Sequence, residues 1–337
     1  MSGSICWSIS AICCWTLASA NKEARVTEAT IETLAAASPT ASALRRRSIF
    51  ARLFSNWSLR ISGLVLLVLV LVAFFAPWLG TLDPTAIDPS ISNALPGTHA
   101  DFTTLDGNVI PHWFLMGTDS LGRDIWSRTL YGGRVSIVVG LSVAVFAVTL
   151  GVALGLMAGY FKWLDGIVMR IMDGVMAIPG ILLAVTLIAL FGGTLTSVVV
   201  AIALPEVPRV ARLVRSLVLS IREEPYVEAA IALATPTWKI QLRHVLPNSF
   251  APLIIQATYV CASSILVEAI LSFLGIGLPA DLPSWGNIMA EGRSQFNQFP
   301  HNVLFPGIFL ALTVLAVNML GDGLRDTLDP KFNKRGE

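Results

Sequence analysis

Six long apolar stretches recur along the chain, at residues 61–79, 135–160, 174–191, 195–213, 251–274 and 303–320. The first, SGLVLLVLVLVAFFAPWL, holds no charged side chain and reaches the ~20 residues needed to cross a hydrocarbon core. A soluble core can hide one or two such helices; six in 337 residues belong in a bilayer. Composition agrees, because only 13% of residues are charged, against about a quarter in soluble domains. A net charge of +1 supplies no global field for nucleic acid. The expected fold class is therefore an all-α membrane protein with six transmembrane helices. Gly140, Gly151, Gly155 and Gly159 in the second stretch suit close helix packing within lipid.

Lysine and arginine set the orientation. Arg45, Arg46, Arg47, Arg52 and Arg60 precede the first stretch and place the N-terminus in the cytoplasm. The long loop that follows carries Asp83, Asp88, Asp101 and Asp106 and is expected outside. Lys162, Arg170, Arg212, Arg215, Arg222, Lys239 and Arg243 fall inside, as do Arg325, Lys331, Lys334 and Arg335. Arg123, Arg128, Arg134 and Arg293 dilute the bias on the outer side. Residues 1–43 hold a mildly apolar run with no basic residue ahead of it, so they read as a poorly ordered extension rather than a secretory signal. Cys6, Cys13, Cys14 and Cys261 have no metal-ligand spacing.

The most informative segment is residues 222–248, REEPYVEAAIALATPTWKIQLRHVLPN, too polar to span and too rich in helix formers for a loose loop. It predicts a short helix over 226–234, a break at Thr235-Pro236, and a second helix over 237–245 that ends at Pro247. Two short helices with a bend make a compact knob able to enter a cleft on a soluble partner. Glu228-Ala229-Ala230, with Ile240, Arg243, His244, Leu246, Pro247 and Asn248 downstream, resembles the EAA loop of ABC importer permeases. Ala234 stands where that pattern has Gly. A left-handed helix cap costs a residue with a Cβ about 1 kcal/mol, so either Pro236 takes over the bend or coupling is altered.

Other segments narrow the branch. Gly117-Thr118-Asp119, Gly122-Arg123-Asp124, Glu268-Ala269 with Leu271-Ser272-Phe273-Leu274-Gly275, Pro283-Ser284-Trp285-Gly286-Asn287 and Asn318-Met319-Leu320-Gly321-Asp322 are together similar to the C-type permease of dipeptide, oligopeptide and nickel importers. That resemblance implies a type I importer (MetI-like) permease fold with cytoplasmic coupling helices, in the bacterial inner membrane. It divides the chain into an extension (1–43), a lead-in and first span (44–80), a periplasmic loop (81–134), a permease core (135–321) with its coupling loop at 222–248, and a cytoplasmic tail (322–337). The implied partners are two ATP-binding subunits, a B-type permease as heterodimer partner and a periplasmic or lipoprotein substrate-binding protein, with ATP and Mg bound by the partner subunits and no cofactor by this chain. The implied function is passage of di- or oligopeptides, with nickel or another small solute as the alternative cargo.

Charged residues also fall within or beside the apolar stretches. Glu268 has two readings: it lines the path, or it pairs with Arg123 or Arg134 near the outer mouth. Glu206 and Arg209 sit at helical spacing and are expected to satisfy each other, with Pro205 and Pro208 kinking their helix. Asp173 is expected to cap a helix at the inner membrane edge. No GxxxxGK[ST], GxSxG or HExxH occurs, so ATP hydrolysis is assigned to another protein and an enzyme reading has no site. The different-class alternative, an ion-coupled secondary transporter, needs coupling carboxylates within inverted repeats, and no such repeat is evident.

Overall fold

The structure, a computed structural model, describes residues 56–104 and 107–328. Expectations placed on residues 1–43, on the arginines at 45–47 and 52, and on the tail beyond 328 lie outside the described residues. Helix α1 (Trp57–Phe74) starts where the Asn56 side chain accepts the Ser58 N–H at 3.1 Å. It packs on the last helix, and turns Leu64, Leu67 and Val68 outward.

The segment after α1 departs from the all-α expectation. Strands β1 (Thr98–Thr103) and β2 (Val109–Phe114) pair antiparallel, with Thr98 opposite Phe114. Alternating burial places Phe102 and Phe114 against Ala86 in a small separate core. Short alternating runs of this kind are easily lost beside the much longer apolar helices. Asp88 ties the hairpin down: its carboxylate accepts the Thr103 N–H at 2.7 Å and the Ser90 N–H at 3.0 Å. The Ser90 hydroxyl, then the Thr103 amide, hold this carboxyl below the usual carboxylate range.

Helix α2 (Ile125–Tyr160) begins ten residues before the apolar stretch it contains, because Asp124 caps it by accepting the Trp126 and Ser127 N–H groups. Its main partner is α5 (Leu195–Arg222). Gly151, Gly155 and Gly159 of α2 lie directly over Val210, Val214 and Val218 of α5; a Cβ added at each glycine would stand 2.5, 2.6 and 2.7 Å from the valine Cβ. Glycines four apart thus form a groove that a ridge of valines fills.

The third apolar stretch is not one helix. Helix α3 (Lys162–Ala177) and helix α4 (Gly180–Phe191) meet at 88°. Pro179 supplies the reason: the residue before proline avoids the helical region, and Ile178 is extended, with ψ 129°. Asp173 lies inside α3 and pairs with Arg212 at 2.6 Å, which replaces the expected capping role. The fourth stretch forms α5 and continues to Arg222, through Pro205 and Pro208.

Helix α6 (Pro225–Ala232) is the short helix expected after α5. The second expected helix is corrected: α7 (Thr237–Ile240) runs through a π-helical turn (Gln241–Val245) into α8 (Leu246–Phe273) without stopping at Pro247. A proline ring clashes with the carbonyl four residues back, here that of Arg243, and the wider π turn moves that carbonyl aside. Helices α9 (Trp285–Gly292) and α10 (His301–Leu328) complete the fold.

Among the described residues, four helices are long and apolar enough to cross a membrane, and five if the bent α3–α4 pair counts as one span. Helix α5 falls outside that set because Glu206, Arg209 and Arg212 interrupt its apolar run.

Candidate functional site

The candidate coupling residues converge on the elbow between α5 and α8. Helix α6 closes in a Schellman-type cap: Thr235 N–H reaches the Ala230 carbonyl at 3.1 Å, and Ala234 N–H reaches that of Ile231 at 2.9 Å. Ala234 itself is left-handed, with φ +54°. The bend is therefore built at residue 234 in the manner glycine ordinarily serves, with Pro236 following it rather than replacing it.

Three side chains root the elbow. Val227, Ile240 and Val245 are each 1% exposed and join the core that contains Val214 and Val218 of α5. Around this base, Asn248 Nδ2 donates to Tyr226 Oη at 3.0 Å and to the His244 carbonyl at 2.7 Å, and the Tyr226 and His244 rings lie 6.0 Å apart. Gln241 Nε2 donates to the Leu156 carbonyl of α2 at 3.3 Å, and Arg222 lies over the Tyr160 ring. Glu228, Ala229, Arg243 and Pro247 are exposed, whereas Ala230, His244 and Leu246 are half-buried. The outward surface is apolar: Leu233 is 81% and Trp238 60% exposed, with Ile231 and Leu242 beside them in sequence. A rigid elbow that shows a leucine and a tryptophan to its surroundings has the chemistry of a docking knob.

The intramembrane candidates separate into two places. Glu268 is fully buried in α8, where Ser272 Oγ donates to it at 2.8 Å and Ser136 Oγ of α2 at 3.4 Å. The expected pairing with Arg123 or Arg134 does not form: Arg134 donates to the carbonyls of Ala73 and Phe74, and Arg123 is engaged elsewhere. Glu206 and Arg209 close on each other, with Arg209 Nη1 donating to both carboxylate oxygens at 3.0 and 3.2 Å. They line a pocket of about 370 Å³ with Pro179, Ile181, Pro205 and Ser263.

A four-residue ion cluster has no local signal in the sequence. Asp119 Oδ2 accepts from Arg123 Nε at 2.7 Å and Arg128 Nη1 at 2.6 Å, and both arginines also donate to Glu291 of α9. Arg128 is 1% exposed. Two cations and two anions cancel, so the cluster pins α9 to the start of α2 without leaving a bare buried charge. Glu291 is 163 residues from Arg128, beyond the reach of any spacing rule. It borders a second cavity, of about 570 Å³, lined also by Ile188, Ser272, Gly277 and Asn287.

Comparison with known proteins places these features in context. The family model described as "binding-protein-dependent transport system inner membrane component" matches residues 151–334, and one described as "N-terminal TM domain of oligopeptide transport permease C" matches residues 45–96. The chain is 46% identical over 275 residues to a probable peptide ABC transporter permease of Sinorhizobium fredii, covering 82% of this chain and 89% of that one. It is 43% identical over 288 residues to a dipeptide transport system permease of Alkalihalophilus pseudofirmus (85% and 90% covered). With a glutathione transport system permease of Pectobacterium atrosepticum it shares 40% identity over 273 residues (80% and 86% covered).

Proposed function

This chain belongs to the family of binding-protein-dependent transport system inner membrane components, and from that membership we propose that it is the permease subunit of an ABC importer that carries short peptides inward, powered by ATP hydrolysis in separate subunits. The observation that carries the reading is the elbow, where a core-anchored base presents Leu233 and Trp238 at 81% and 60% exposure. Exposed apolar side chains on a rigid element are stable in water only at a cost, and a partner cleft removes it. The peptide cargo follows the printed names of the relatives at 40–46% identity.

In this reading the bent α3–α4 pair and α5 complete six crossings, and both chain ends face the cytoplasm. Two ATP-binding subunits engage the elbows of this chain and of a related B-type permease. ATP binding draws the subunits together and moves the elbows inward, so that the paired helices open outward to receive cargo from an external binding protein. Hydrolysis reverses the motion. The segment at residues 82–113, with its hairpin, forms part of the platform for that binding protein.

The test is copurification and uptake by the assembled transporter. Leu233→Asp places a charge on the most exposed part of the elbow, where no core contact is lost. It is expected to reduce retention of the ATP-binding subunits at least 10-fold, as a hot-spot residue worth roughly 1.4 kcal/mol or more predicts, while the thermal midpoint of the chain stays unchanged. Unaltered retention and uptake in that variant would falsify the coupling role.

A further inference from the structure

We propose that the pocket holding Glu206 and Arg209 is a transit site for short zwitterionic peptides, with Glu206 taking the α-ammonium and Arg209 the α-carboxylate. This deepens the importer reading above and rests on it. Glu206 and Arg209 lie about 17 and 21 Å along α5 from its first residue, within the crossing. Yet the Arg209 side chain is 48% exposed and that of Glu206 11%. An ionic side chain at that depth does not face acyl chains; it faces water, a cavity or another protein. The opposite flank of the molecule shows the contrast, because the groove between α1, α2, α8 and α10 is lined by Leu66, Val70, Leu141, Val145 and Val317 and suits lipid.

Backbone chemistry points the same way. The break at Ile178-Pro179 opens onto this pocket, and irregular backbone at membrane depth is tolerated where it lines a cavity or is buried in protein. Pro205, which lacks the N–H of a regular helical residue, also lines the pocket. The pocket also has an approach. Ile181 and Ala184 of α4 border it, and Ile188, on the same face of that helix, borders the cavity beside Glu291 about 10 Å away. The two cavities therefore stand one after the other along a single helix face.

Charge balance selects the cargo. With the site empty, Glu206 and Arg209 neutralise each other. A zwitterion exchanges that one pair for two and adds no net charge, whereas a peptide blocked at either end leaves one protein charge unpaired. Because an extended chain gains about 3.3–3.6 Å per residue, only short peptides present both termini to two side chains three residues apart.

The experiment uses the complete transporter in cells, with Cys6, Cys13, Cys14 and Cys261 replaced by Ser and a single Ser263→Cys introduced on the pocket wall. A membrane-impermeant cationic thiol reagent is expected to label it, and alanine di- and tripeptides with free termini to slow labelling several-fold, whereas N-acetylated or C-amidated dialanine does not. Glu206→Gln and Arg209→Gln should each remove the protection, and the exchanged pair Glu206→Arg with Arg209→Glu should restore part of it. No labelling in a transporter that still imports alanine peptides overturns the proposal, since lipid or protein then covers the pocket. Equal protection by blocked peptides overturns it as well. A complex that keeps its ATP-binding subunits but imports none of these peptides refutes the transit site alone, whereas a complex without those subunits refutes the importer reading.

Discussion

A methyl group at residue 234 occupies a backbone conformation, φ +54°, in which a Cβ crowds the following carbonyl. The cap persists because both of its hydrogen bonds form and the buried Val227 and Ile240 fix the chain on either side of it. Ala234→Gly relieves about 1 kcal/mol of this crowding and gives back about half through the greater freedom of glycine in the unfolded chain. The expected result is slower hydrogen exchange in α6, by roughly two-fold for a net gain of about 0.5 kcal/mol, with uptake retained. Faster exchange in the glycine variant would contradict it. The departure from glycine was legible in the sequence. Which of residues 234 and 236 made the bend was not, because proline and a left-handed cap both interrupt a helix. Glu268 teaches a similar lesson: its place within an apolar run was legible and Ser272 stands one turn further on the same helix, but Ser136 of α2 is brought to it by helix packing that no local pattern encodes.

Among the elements, the contact between α2 and α5 is the most exacting. Three glycines meet three valines with no room for a further carbon, so Gly155→Leu must push α5 outward. Overpacking of this kind costs about 1–3 kcal/mol, and a lowered thermal midpoint in detergent is the expected readout. Gly166→Ala, at a position with nothing within 4 Å, is the control that should leave it unchanged. The glycine stripe was legible; its valine counterpart was not, since Val210, Val214 and Val218 lie on a helix whose arginines masked its apolar face. Pro179 did carry the signal for the break between α3 and α4, and the apolar run around it concealed that break. Pro247 misled in the opposite direction, because a single π turn lets a helix pass a proline that would otherwise end it.

For the molecule as a whole, the decisive quantity is the side of the membrane on which each exposed segment lies. Leu95 and Leu233 are 62% and 81% exposed and belong to segments separated by α2, the α3–α4 pair and α5. With six crossings, Leu95→Cys is labelled by an impermeant reagent added to intact cells, and Leu233→Cys only after the membrane is opened. Labelling of both from one side would require one crossing fewer or more between them. The positive-inside pattern is what predicts this topology, whereas the β-hairpin, a short local pairing, and the four-residue ion cluster, which brings Glu291 to a segment 163 residues away, emerged only in the folded chain.

The helix that leaves the elbow is unbroken from Thr237 to Phe273, 37 residues or roughly 55 Å. A continuous helix of that length links the elbow to the depth of Glu268 without an intervening loop. Its winding changes at the π turn, Gln241–Val245, close to the elbow. In the importer reading, a push on the elbow would travel along this helix toward Glu268, which bonds to Ser136 of α2 and to Ser272 of the same helix.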